Sequence, residues 1–350
     1  MRRETLSRPV TICLGAAEPG DLSMRLAILA ATALAALTLA ACSSTSTTSA
    51  TEITPAMTGE DPYLWLEDVE GERALTWVRE QNARSLPQLE SDPRYAQLLA
   101  DATALANSRD RLPLGGIFEG HYYNFWQDEA HVRGIYRRAR LDAFARDGAP
   151  QWETVLDIDA IATAENANWV FKGIDCLEGT TLCLVALSDG GKDATTYREY
   201  DTATRSFVRN GFVVPEAKSG VTWLDRNTLL VATDWGPGTM TESGYPFVLK
   251  RWTRGTPLAS AVEVMRGQAS DVGVYGGDLL DTDGRRHIIA IEADTFFEST
   301  TWRLDGATPQ RVTLPTRASV QGVHKGNLVF TLEEAWRGLP QGALVAYPLD

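Results

Sequence analysis

The chain is poor in the residues that do chemistry. Its 350 residues include four histidines and four cysteines. His121, His131, His287 and His324 each stand in or beside a segment that reads as strand. None has Cys, Asp or Glu at a metal-ligand spacing, so no metal site is expected and each is read as a structural histidine. No basic run interrupts a net charge of −13. That argues against nucleic acid as a partner and assigns the acidity to solubility. Neither a phosphate loop nor a dinucleotide fingerprint is present, since the Gly-Gly pairs at 115, 190 and 276 fall in strand or turn contexts; no cofactor is expected. A serine elbow of the form G-x-S-x-G is absent too. Ser188 in ALSDGGK and Ser243 in TESGYP lack the flanking glycines, and no alternation of strand and helix would hold such a turn. No residue of this chain is therefore expected to be catalytic. Asp281-Thr282-Asp283-Gly284, with Glu292 eleven residues after Asp281, has the outer spacing of a calcium loop. Arg285 and the strand-like run RHIIAI make a tight hairpin turn the better account.

What is there begins with a leader. Residues 24–44 read MRLAILAATALAALTLAACSS: one arginine, an apolar stretch from Leu26 to Leu39, then small residues before Cys42. The stretch is short of the roughly 20 residues that a membrane span needs. Leu39-Ala40-Ala41-Cys42 resembles a bacterial lipobox, in which Cys42 becomes the lipid-modified first residue; an ordinary signal peptide cut near Ala41 is the alternative. Residues 1–23 make an awkward n-region, so Met24 is read as the true start. Residues 1–41 are thus a leader and 42–60, rich in Ser and Thr, a flexible tether. The expected location is outside the cytoplasm, in a bacterial cell envelope. There the protein would be anchored by lipid on the periplasmic side, and the anchor would be its one contact with a membrane. In that oxidising setting Cys176 and Cys183, which flank a turn in IDCLEGTTLCLVAL, are candidates for a disulfide; two buried free thiols are the alternative.

Residues 61–112 are helical in pattern. Ala74, Leu75, Trp77 and Val78 share one face, as do Tyr95, Leu98, Leu99, Ala102 and Leu105. Asp92-Pro93 reads as a cap with proline at the first helical position. From Pro113 onward the helical signal disappears and a repeat takes over. Strand–turn–strand openings start at 115, 168, 220, 272 and 319, with spacings of 53, 52, 52 and 47 residues, and two more strands follow each. Four short strands per period of about 50 is the arithmetic of a β-propeller blade; a two-sheet sandwich fits the period less well. The fold expected over 113–350 is a mainly β propeller of about five four-stranded blades, the last incomplete. A blade without its outer strand leaves unpaired backbone, so the chain reads as part of something longer.

DPYLWLEDVEG, ALTWVREQN, YYNFWQDEAHVRGIYRR, LSDGGKDATTYREYD and TDWGPGTMTESGYPFVLKRWTRGTPL, in that order and spacing, resemble the amino-terminal region of the prolyl oligopeptidase family of serine peptidases. The resemblance implies a seven-bladed propeller joined to an N-terminal helical segment and followed by an α/β-hydrolase domain. It makes that missing domain the partner of residues 61–112. It implies a propeller that restricts access to short proline-containing peptides, and a chain that is inactive alone because the Ser-Asp-His triad lies elsewhere. The alternative is a lipid-anchored propeller that binds without catalysis. WGPGTMTESGYPFVLKRW, residues 235–252, is read as a lengthened connection between the second and third strands of one blade.

Overall fold

The computed structural model describes residues 61–349 apart from 69, 109, 148, 149 and 307. Two units separate between Ala106 and Asn107. In the first, a short 3-10 turn at Leu64–Glu67 precedes α1 (Glu72–Glu90) and α2 (Tyr95–Ala106). The Trp65 ring meets Trp77 edge-on at 6.3 Å, and the Arg73 guanidinium lies 4.1 Å from the Trp65 centroid. Pro87 is accommodated in the last turn of α1. The expected cap at Asp92 is displaced. Its carboxylate holds the Arg94 amide (2.9 Å) and side chain, and α2 starts two residues after Pro93. Arginine competes there for the oxygen that a cap would offer to later amides.

The second unit is a five-bladed β-propeller. Blade 1 comprises β1 (Gly115–Phe118), β2 (His121–Trp126), β3 (Ile135–Arg140) and β4 (Glu153–Asp157). Blade 2 comprises β5 (Trp169–Cys176), β6 (Leu182–Asp189), β7 (Thr195–Asp201) and β8 (Ser206–Phe207), with β9 (Val213–Ala217) also paired to β7. Blade 3 is β10 (Gly220–Asp225), β11 (Thr228–Ala232), β12 (Val248–Thr253) and β13 (Val262–Arg266). Blade 4 is β14 (Gly273–Leu280), β15 (Arg286–Ala293), β16 (Ser299–Arg303) and β17 (Gln310–Arg311). The fifth sheet is β18 (Ala318–His324), β19 (Asn327–Leu332) and β20 (Leu344–Pro348), three strands among the described residues. Within each sheet the strands pair antiparallel in chain order.

The second strand of a blade shows why the sequence stacks this way. In β11, TLLVA, Leu229 and Val231 pack with Leu184, Phe212 and Val214 of blade 2. Leu230 and Ala232, on the other face, pack with Val274 and Ala290 of blade 4. Both faces are covered, so the apolar run is continuous instead of alternating. Each of these leucines contributes about 1.5–3 kcal/mol through burial. β6 repeats the device, with Leu184 toward blade 3 and Val185 and Leu187 toward blade 1.

Two helices inside the propeller correct the expectation that helix ends at Pro113. α3 (Leu141–Asp147) follows β3, and α4 (Ile158–Glu165) follows β4. The Asp157 carboxylate accepts the Ala160 amide at 2.9 Å, and Asn166 closes α4 in the left-handed region. Aspartate before and asparagine after an Ile-Ala run was a readable signal. The 235–246 segment does join the second and third strands of blade 3, β11 and β12. Trp235 donates its indole N–H to the Val248 carbonyl (2.9 Å), while Thr241 N–H reaches Tyr245 O (2.7 Å).

Candidate functional site

The turns between first and second strands gather at one end of the propeller, and side chains tie each to its neighbour. Glu119, in the blade 1 turn, accepts the Gly179 amide of the blade 2 turn at 2.8 Å. Trp223 of blade 3 donates its indole N–H to the Asp175 carbonyl of blade 2 (3.2 Å). Arg286 of blade 4 donates to the Trp223 and Leu224 carbonyls of blade 3, both at 2.7 Å. Asp281, in the blade 4 turn, accepts the Lys325 (2.7 Å) and Gly326 (2.6 Å) amides of blade 5. All five blades are thus linked by side-chain-to-backbone bonds at this end.

Asp281 is buried and also accepts the Thr282 amide at 2.6 Å. Burial works to raise its pKa, but the Gly326, Thr282 and Lys325 amides together outweigh that and hold it at about 2. The oxygens that a calcium ion would need are therefore spent on backbone, and the segment is the hairpin turn its sequence suggested, with Asp281 N–H on Arg285 O at 2.8 Å. His287 lies beside it, fully buried, its Nε2 3.7 Å from Asp281 Oδ2.

A cavity of about 230 Å³ opens among blades 1 to 4 at the same end. Phe118, Leu177, Trp223 and Leu280 supply apolar wall, while Asp175, Glu178, Asp278 and Arg286 supply charge. Arg286 Nε and Nη2 both bond Asp278 Oδ2, at 2.8 and 2.5 Å. Asp175 is an exposed residue on the cavity wall, with protein packed close enough around its carboxylate to strip part of its water. That desolvation raises its pKa, the Asp278 charge adds to the rise, and Arg286 pulls the other way. Reading the sequence alone missed this group. Aspartates inside the first strands β5 and β14, where β propensity disfavours them, were the available signal.

Cys176 and Cys183 are register partners across the blade 2 hairpin, Cα to Cα 3.9 Å, and are joined as a disulfide; Cys176 lines the cavity. Cys42 lies outside the described residues. His121 Nδ1 is 2.9 Å from the Glu119 carbonyl and His131 Nδ1 2.9 Å from Asp128, while His324 ends β18 on the surface. Ser188 is buried and donates to the Lys192 carbonyl (2.7 Å), and Ser243 pairs with the Thr241 hydroxyl (3.1 Å). Among the described residues, no group of three or more His, Cys, Asp or Glu is placed to hold a metal ion, and no helix is long and apolar enough to cross a membrane.

Comparison with known proteins places this geometry in a family. The family model described as the prolyl oligopeptidase N-terminal beta-propeller domain matches residues 44–350. An uncharacterized peptidase of Sinorhizobium fredii is 40% identical over 302 residues, covering 83% of this chain and 41% of the relative. A post-proline cleaving enzyme from Rickettsia typhi superposes with a TM-score of 0.73 at 26% identity, covering 81% of this chain and 43% of that one. Oligopeptidase B from Leishmania major, at 16% identity and a TM-score of 0.59, shares the fold over 79% of this chain and 38% of its own. The chain spans about two fifths of the length of the curated relatives it matches, 41% in each case. From residue 44 onward its sequence is that of the N-terminal propeller region, and the chain belongs to the prolyl oligopeptidase family.

Proposed function

We propose that this propeller restricts access to a peptidase site, admitting short peptides that are cleaved after proline by an α/β-hydrolase domain. The observation that carries the reading is the tied turn end. A filter that selects by size has to resist widening, and four inter-blade links hold neighbouring turns together here. The name of the Rickettsia typhi relative, a post-proline cleaving enzyme, supports the choice of bond. The reading includes export and a lipid anchor at Cys42, which Cys42→Ser should abolish, moving the protein from the membrane to the soluble fraction.

Peptide length is the test. The protein isolated from its own host, together with the hydrolase domain that the reading requires, is offered quenched-fluorescent peptides with a single proline, from tetrapeptides up to long unfolded polypeptides. Cleavage after proline is expected for the short ones and should spread to longer ones when Glu119→Ala and Asp281→Ala cut two ties. Cleavage that ignores length, or none after proline, overturns the reading. Retained peptide binding without any cleavage would favour the non-catalytic module instead.

A further inference from the structure

The cavity at the turn end holds an imbalance of charge. Three carboxylates, Asp175, Glu178 and Asp278, face one guanidinium, Arg286, a local excess of two negative charges. Arg286 is committed: Nε and Nη2 go to Asp278, and Nη1 and Nη2 to the Leu224 and Trp223 carbonyls. It is held too firmly to turn toward Asp175. The Asp175 carboxylate accepts no hydrogen bond from the described residues; the Trp223 indole goes to its backbone carbonyl. Partial desolvation by the surrounding protein and repulsion from Asp278 both disfavour its charge, and an added cation offsets both. Arg286 already shows how this wall seats a guanidinium, between a carboxylate and two carbonyl oxygens. Phe118, Leu177 and Leu280 offer apolar surface for a methylene stem.

We infer that this cavity is a binding site for a basic side chain, the guanidinium or ammonium of a peptide arginine or lysine, with Asp175 as its anion. The inference rests on the proposed function only in taking a peptide as the source of the cation. The site lies at one end of a filter and selects for charge, where the tied turns select for size.

The experiment is a binding titration on the full chain, with no catalysis involved, so its failure is separable from failure of the access reading. The probe is Nα-acetyl-arginine amide, compared with its neutral isostere Nα-acetyl-citrulline amide. Saturable binding of the first, about tenfold tighter than the second, is expected from one charge-assisted contact. Asp175→Asn should abolish the difference, and Glu178→Gln should reduce it while leaving Asp175 in place, which covers the case of an Asp175 variant that folds poorly. n-Propylguanidinium carries the same single guanidinium charge without a peptide backbone and is expected to bind more weakly. Tighter binding of n-propylguanidinium would overturn the peptide as the source. Equal binding of arginine and citrulline amides, or an undiminished preference in a folded Asp175→Asn variant, overturns the site.

Discussion

Blade 2 turns a carboxylate toward its neighbours at two places, toward blade 3 at Glu199 and toward blade 4 at Asp175, and the two are used in opposite ways. Glu199, on β7, is buried to 1% side-chain exposure and gripped by both terminal nitrogens of Arg254, at 2.7 and 2.8 Å. It also accepts the Phe212 amide (2.8 Å), and the Arg254 guanidinium lies 4.4 Å from the Phe212 ring centroid. Every oxygen of that carboxylate is engaged. Asp175, on β5, meets its nearest guanidinium already committed to another acid and to two carbonyls. The same blade therefore carries one acid that is part of a joint and one left open to whatever enters the cavity. Burial and satisfaction together separate the structural charge from the available one: Glu199 is buried with every oxygen engaged, and Asp175 is exposed with none engaged by the described residues.

The comparison breaks most visibly at the first acid. Arg254→Met leaves Glu199 charged, buried and without its fork, and should cost about 3 kcal/mol, read as a lower denaturation midpoint with unchanged slope. A loss below a third of that would mean that solvent reaches Glu199 and the grip is not structural. Next is the hairpin that carries the second acid. Cys176→Ala with Cys183→Ala opens a loop with a sequence separation of seven. On the chain-entropy account this costs about 2 kcal/mol. Full stability in the double variant, or two more free thiols titrated in the unfolded parent than in the unfolded double variant, would remove the disulfide from the argument.

How much of this could be read from the chain follows the same division. Local pattern declared the blades. The openings at 115, 168, 220, 272 and 319 lie within a residue of β1, β5, β10, β14 and β18, because a strand covered on both faces must be apolar without interruption, as in TLLVA and LCLVAL. α3 and α4 escaped because seven and eight residues are too few for a helical period to stand out among strands, leaving only the caps to mark them. The site was less legible. The ties join residues such as Glu119 with Gly179 and Asp281 with Gly326, far apart in sequence and close only once the blades are stacked. Asp281 stood out as a calcium-like pattern because its turn is acidic, and its partners turned out to be amides of the next blade. Nothing about Asp175 in one dimension shows that Arg286 will be spent elsewhere.

Acid pH sharpens the contrast between the open aspartate and the spent one. Asp281 is held at about 2 by amides in the fold, below the value of roughly 3.9 it takes when unfolded. Its stabilising effect is therefore fully present above the unfolded value and lost as pH falls toward about 2. Asp175 has the opposite sign. Its folded pKa is raised, so its charge opposes folding near neutrality, and protonation relieves that opposition as pH falls through the raised value. Melting followed from neutrality to about pH 2 should show Asp281→Asn starting below the parent and converging on it in acid. Asp175→Asn should start within about 0.5 kcal/mol of the parent, on the stable side, and lose that margin as the parent's Asp175 takes up its proton. A parent curve parallel to that of Asp281→Asn throughout would mean the carboxylate charge does not hold blades 4 and 5 together. A clear loss of stability in Asp175→Asn at neutrality would mean that Asp175 already has a partner in the fold and is not free to take a cation.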